Sequence, residues 1–109
     1  MKIEGVPFSV PDWSQMESVE HAGVSGKAIR RTSEVGNIRV RKVEYSPGYV
    51  ADHWCSRGHV LLVLQGELVT ELRDGRKFTL TAGMSYQVAD GAEPHRSSTS
   101  GGATLFIVD

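Results

Sequence analysis

The sequence predicts an all-β fold, a small barrel built by a single domain. Three observations predict it. Helical periodicity is almost absent, short apolar runs recur with turn residues between them, and one run, Val60 to Leu64, is apolar on both faces. The chain has 109 residues, 39% hydrophobic and 23% charged, which is enough for one hydrophobic core and ordinary for a globular domain.

The only helical signal lies in "PDWSQMESVE", where Asp12 or Ser14 can cap a short turn and Ser14 with Glu17 has capping-box spacing. Residues 1–25 are expected to form an N-terminal arm and residues 26–109 the barrel. "GKAIRRT" leads through the turn "SEVGN" into "IRVRKVEY", where Ile38 and Val40 alternate with Arg39 and Arg41. The phase slips at Lys42–Val43, which predicts a bulge. "HVLLVLQG" and "ELVTELR" read as two strands on either side of Gly66, and Asp74–Gly75 is a hairpin turn. "KFTLTAG" and "MSYQVADG" continue the meander with Met84, Tyr86 and Val88 on one face. "HRSSTS", a Gly-Gly turn and "ATLFIVD" complete it. The result is about nine short strands at the spacing of a sandwich or barrel. A strand apolar on both faces needs a second layer over its outer side. The N-terminal strands or a second copy must supply it, and a homodimer is expected.

Several partner classes are disfavoured. The net charge is −1 and the basic residues are scattered. Arg30-Arg31 and the trio Arg39, Arg41, Lys42 are too short and too interleaved with apolar residues for a polyanion footprint, so nucleic acid is not an expected partner. No apolar run approaches the roughly 20 residues of a membrane span. The segment "MKIEGVPFSVPDW" lacks the apolar block of a secretory signal. The single cysteine, Cys55, cannot form an intrachain disulfide, which fits a reducing, cytoplasmic setting.

The chemistry concentrates in "ADHWCSRGHVLLVLQGE". Successive strand side chains point to opposite faces, so residues two apart share one, and His53 and Cys55 point the same way with Cα atoms about 6.5 Å apart. "Ser56-Arg57-Gly58" reads as a tight turn that returns His59 beside them, and His95, opening another strand, is the natural fourth group. Taken singly, each of the four is better explained as packing; together they read as a cage of three imidazoles and a thiolate. Trp54 should point away from that cage. Asp52 is expected to cap the turn or pair with an arginine, and His21 to lie in a solvated loop. Tyr86 and Met84 are expected to line the barrel, and Arg57 and Arg96, each flanking a ligand, are either rim arginines in solvent, the reading slightly favoured, or groups that hold a carboxylate.

The same residues resemble the two motifs of the cupin superfamily. Gly48, His53, Cys55, His59 and Gly66 fall on the first, roughly G-x5-H-x-H-x3,4-E-x6-G, with the interval from Gly48 to His53 one residue short. Gly83, Gly91 and His95 fall on the second, with one extra residue before His95, Ala89 at the usual proline and Thr99 at the usual asparagine. More narrowly, "Asp52-His53-Trp54-Cys55" with "GRKFTLTAGMSYQVADGAEPHR" is similar to small single-domain bacterial cupins named for an Asp/His/Cys/Trp motif. The resemblance implies an RmlC-like jelly-roll barrel, a metal inside it held by His53, Cys55, His59 and His95, and a homodimer. Cys55 stands where the second histidine is usual and His59 where the glutamate is. A sulfur in place of a carboxylate oxygen favours zinc, iron, nickel or copper over harder ions.

The expected function is a metal-binding cupin acting on a small organic molecule, oxygenase- or isomerase-like if it is an enzyme. The alternative is a non-catalytic barrel that binds a small ligand or a metal, and a third reading is a vestigial, metal-free cage.

Overall fold

The computed structural model describes residues 1–109. After a 3-10 turn at Trp13–Gln15, eight strands follow: β1 (Val19–Ala22), β2 (Lys27–Val35), β3 (Ile38–Tyr45), β4 (His59–Leu72), β5 (Lys77–Thr81), β6 (Ser85–Val88), β7 (His95–Ser98) and β8 (Ala103–Val108). The turn is capped by Asp12, whose carboxylate accepts from the Ser14 amide at 3.0 Å. All strand pairings are antiparallel. One sheet runs β1-β2-β3-β8-β4, with β6 on the far side of the first half of β4. A smaller sheet sets β5 and β7 on either side of the second half of β4. The architecture is an all-β jelly-roll barrel.

β4 joins the two sheets and merges two of the expected strands into one, while β1 adds a strand within the expected N-terminal arm. "HVLLVLQG" and "ELVTELR" are one continuous strand of 14 residues. Its register with β8 shifts between Val63 and Gln65, and Gly66 lies at φ 79°. A bulge and a left-handed glycine bend a strand without ending it, so the chain changes sheets at this corner.

The interior is filled from alternate positions of these strands. Val43, Leu61, Val63, Leu68 and Leu105 are at most 1% exposed, and each contributes about 1.5–3 kcal/mol of burial. No bulge occurs at Lys42–Val43, because β3 keeps unbroken register with both β2 and β8. The apparent slip came from reading the arginines as outward. Arg41 shares its face with the buried Val43 and points into the barrel end, where Asp109 pairs with it at 2.9 Å. Ile38 and Val40 take the outer face.

The N-terminal segment is tied to the β2–β3 turn by Asn37, whose side chain accepts from the Glu4 amide and donates to the Lys2 carbonyl. Trp13 then packs edge-on against Phe106, ring centroids 5.9 Å apart, covering part of the outer sheet face. Val60 and Leu64 on that face remain 39% and 41% exposed. No helix is long and apolar enough to cross a membrane.

Candidate metal centre

Backbone pairing assembles the site. Residues 56–58 lie outside any strand, but Cys55 makes an isolated antiparallel bridge with His95. Its amide donates to the His95 carbonyl at 2.8 Å, and its carbonyl accepts from the His95 amide at 2.9 Å. Such a mutual pair sets both side chains on one side of the ladder. His59 opens β4 in phase with the buried Leu61 and Val63, so it too points inward. Leu61 pairs with Tyr86 of β6, which brings the phenol diagonally opposite His59. Ligand atoms of Cys55, His59 and His95 all lie within 4.8 Å of one another.

Their hydrogen bonds leave an electrostatic gap at the centre. His95 Nδ1 lies 2.9 Å from the Glu93 carbonyl oxygen, which only accepts, so Nδ1 carries the proton and Nε2 offers a lone pair. That lone pair faces His59 Nε2 at 3.1 Å. His59 Nδ1 is buried without a hydrogen-bond partner, although Asp109 Oδ2 stands 3.5 Å away, close enough for attraction but not aligned to bond. With Nδ1 protonated, which suits that carboxylate, His59 Nε2 can accept from the Tyr86 hydroxyl 2.9 Å away, but the His95 Nε2 lone pair then faces another lone pair. With Nε2 protonated, Nδ1 turns its lone pair toward the carboxylate and is left buried without a donor. A proton is a poor remedy, because burial and then the neighbouring His95 push the His59 imidazole down to about 4. A cation among the two Nε2 atoms and Cys55 Sγ resolves the conflict, and this donor set of two nitrogens and one sulfur fits a first-row transition metal.

The surroundings are polar and cationic. Tyr86 Oη lies 2.9 Å from His59 Nε2, and burial pushes its phenol up, so it keeps its proton. The Asp109 side chain is 1% exposed and receives two hydrogen bonds from Arg39 and one from Arg41. Burial alone would raise its pKa, yet the Arg39 bonds and both guanidinium charges hold it below the usual carboxylate range. A cavity of about 80 Å³ adjoins the cluster and is lined by Arg30, Arg41 and Arg96 among others. Arg41 is spoken for by Asp109 and Arg96 by Glu71 at 2.7 Å, while Arg96 also stacks over Trp54 at 4.5 Å. Arg30 sits opposite the buried Val43 and makes no ion pair.

Solved structures with the same chain path settle the fold. An RmlC-like cupin from Shewanella frigidimarina superposes with a TM-score of 0.72 at 23% identity, over 94% of this chain and 89% of that one. The chain has the cupin fold. A predicted oxalate decarboxylase from Thermotoga maritima gives 0.75 at 14% identity over 92% and 96% of the two chains. An Fe(II)-bound HppE with an alternative substrate gives 0.76 at 14% identity, over 94% of this chain and 60% of that one. No family model matches the sequence, and no curated protein sequence does.

Within this cupin fold, three of the four motif residues converge and the fourth turns elsewhere. The chain bends at Asp52 and His53, so the alternation expected of an extended strand does not relate His53 to Cys55. The His53 ring lies along the cavity wall, but its Nδ1 bonds to Asp52 at 2.7 Å and it groups with His21 rather than with Cys55. His21 lies in β1, not in a loop, and Asp52 takes two histidines as partners, not an arginine. Their hydrogen bonds, His53 first and then His21, hold the Asp52 carboxyl down at about 2. Tyr86 and Arg96 are among the residues lining the cavity, whereas Arg57 is exposed and Met84 is 48% exposed with its sulfur against Thr81. Residue-by-residue reading missed Arg30, Arg41 and Asp109. The available signal was parity: each occupies an inward position in a strand, or one residue past it, where apolar residues alternate.

Proposed function

We propose that the protein is a metal-dependent enzyme of the cupin fold acting on a small organic anion, with Cys55, His59 and His95 holding the metal. The observation that carries this reading is the pair of converging Nε2 atoms beside Arg30, an inward arginine without an acidic partner. Three protein ligands leave a coordination shell open, as catalytic sites require, whereas a complete set of four closes it. When bound, such an ion supplies Lewis acidity toward a substrate oxygen.

The chain's own residues would do the rest. Arg30 is placed to receive a carboxylate, since a guanidinium without a counter-ion favours a planar anionic partner. The protonated Tyr86 hydroxyl donates to whichever lone pair or substrate oxygen faces it. Arg39 and Arg41 keep Asp109 ionised, and Asp109 in turn orients His59 as outer-sphere carboxylates orient metal-binding imidazoles. The cavity restricts the substrate to a few heavy atoms. We further propose that a second copy covers the outer sheet face around Val60 and Leu64, giving the homodimer expected from the sequence.

The test is metal analysis of protein purified without added ions, with a screen of small carboxylates by thermal shift and oxygen uptake. Cys55→Ser is expected to lose one metal equivalent per chain. Carboxylates should stabilise the wild type but not Arg30→Met. Equal metal content in wild type and Cys55→Ser, with identical melting, would overturn the assignment.

A further inference from the structure

We propose that His21, Asp52 and His53 form a second metal site, at the rim of the barrel, where two imidazoles and one carboxylate hold a divalent transition-metal ion. The site is built from two parts of the chain. His21 belongs to β1, opposite Ala28 of β2, and Asp52 and His53 follow the buried Ala51. The two parts are pinned together next to the site. The Val24 amide donates to the Val50 carbonyl at 2.8 Å, and the Val50 amide donates to the Ser25 carbonyl at 3.0 Å. Backbone pairing therefore holds the two segments side by side.

Two of the three ligand–ligand edges are close to those of a coordination shell. Asp52 Oδ1 lies 2.7 Å from His53 Nδ1 and 3.3 Å from His21 Nε2, and all three ligand atoms fall within 4.8 Å of one another. Bonds of about 2.0–2.1 Å meeting at octahedral or tetrahedral angles put neighbouring ligand atoms about 2.9–3.4 Å apart. Both observed edges reach that range with shifts of a few tenths of an ångström at most. The imidazole rings stand at 88° to each other, so their lone pairs approach from different directions.

The donor set differs from that of the cavity cluster in kind. Two nitrogens and a carboxylate oxygen, with no sulfur, suit zinc, iron, nickel or copper, and three protein ligands leave the remaining positions to solvent. Solvent has access, because the three side chains are 40%, 41% and 58% exposed for His21, Asp52 and His53. The competing account is a hydrogen-bonded triad in which both imidazoles donate to one carboxylate and no ion binds. The two sites share no residue, so each can be removed without the other.

Chelated protein titrated with Co(II), and separately with Cu(II) followed by electron paramagnetic resonance, distinguishes these accounts. His21→Ala is expected to lose one equivalent relative to wild type, or to bind it at least about tenfold more weakly. The Cu(II) signal should lose one of two coupled imidazole nitrogens. Asp52→Ala should do likewise to affinity, guarding against a local effect of one substitution. Cys55→Ser combined with His95→Ala should keep the equivalent that His21→Ala removes. If wild type binds one ion and His21→Ala none, the rim site stands and the cavity assignment fails. If His21→Ala and Asp52→Ala both bind as many ions as wild type with unchanged affinity, the rim site does not exist.

Discussion

Tyr86 and Cys55 both belong to the cavity cluster, and they predict different things. Cys55 supplies the only sulfur, so a Co(II) complex should show a near-ultraviolet thiolate charge-transfer band that vanishes in Cys55→Ser. Tyr86 reaches His59 with its hydroxyl at 2.9 Å, and its ring, which Phe would keep, lies tilted against the imidazole with centroids 5.6 Å apart. Tyr86→Phe should therefore keep the metal stoichiometry and cost about 1 kcal/mol of stability, while weakening binding of any carboxylate that stabilises the wild type. Unchanged ligand binding in Tyr86→Phe would remove the phenol from the site. At this scale the sequence was informative about residue type and less so about direction. His59, Cys55 and His95 could be named in advance, but His53 could not be separated from them, because the bend that turns it toward Asp52 leaves no mark in local composition.

Two elements carry the shape of the barrel end. At the corner of β4, Gly66 combines φ 79° with backbone so close that a Cβ would collide with the Gly102 carbonyl. Gly66→Ala should lower stability by at least about 2 kcal/mol, measurable by chemical denaturation, from left-handed strain plus displacement of β8. An Ala variant as stable as wild type would show that the corner can be made another way. The second element is the clamp of Arg39 and Arg41 of β3 on Asp109. With Asp109 at 1% and Arg41 at 12% side-chain exposure, Asp109→Asn should cost about 2–3 kcal/mol near neutral pH. The sign follows from the direction of the shift. The Asp109 carboxyl is held below 3.8 in the fold, so its contribution is complete above the unfolded-state value of about 3.9 and is lost as pH falls through the folded value. The gap between wild type and Asp109→Asn should hold from neutral pH to about 4 and close below it. A gap that does not narrow at all as pH falls below about 4 would mean that packing, not charge, is responsible.

Across the whole molecule, the outer sheet face is the part of the surface that a monomer explains least. Val60 and Leu64 of β4 are exposed there, while Lys42 and Glu44 of β3 present opposite charges on the same face. A two-fold contact can bury the first pair and match the second, since an isologous interface sets one patch against itself. Sedimentation should give a dimer for wild type and a folded monomer for Leu64→Glu. A wild type that sediments as a monomer at micromolar concentration would rule this out.

The sequence by itself determined the all-β class, the hairpin at Asp74–Gly75 and the closeness of Cys55, His59 and His95. Alternation and turn chemistry are local, and motif spacing encodes how many residues separate two ladder positions. Tertiary structure alone decided three further matters: that β4 runs unbroken through Gly66 between two sheets, that Arg30 and Arg41 point inward, and that His53 joins His21. Each depends on contacts between segments far apart in the chain. A glycine can end a strand or bend it, an arginine at an alternating position can face either side, and a histidine after a bend follows its nearest carboxylate. Only the neighbour across the barrel selects among those options.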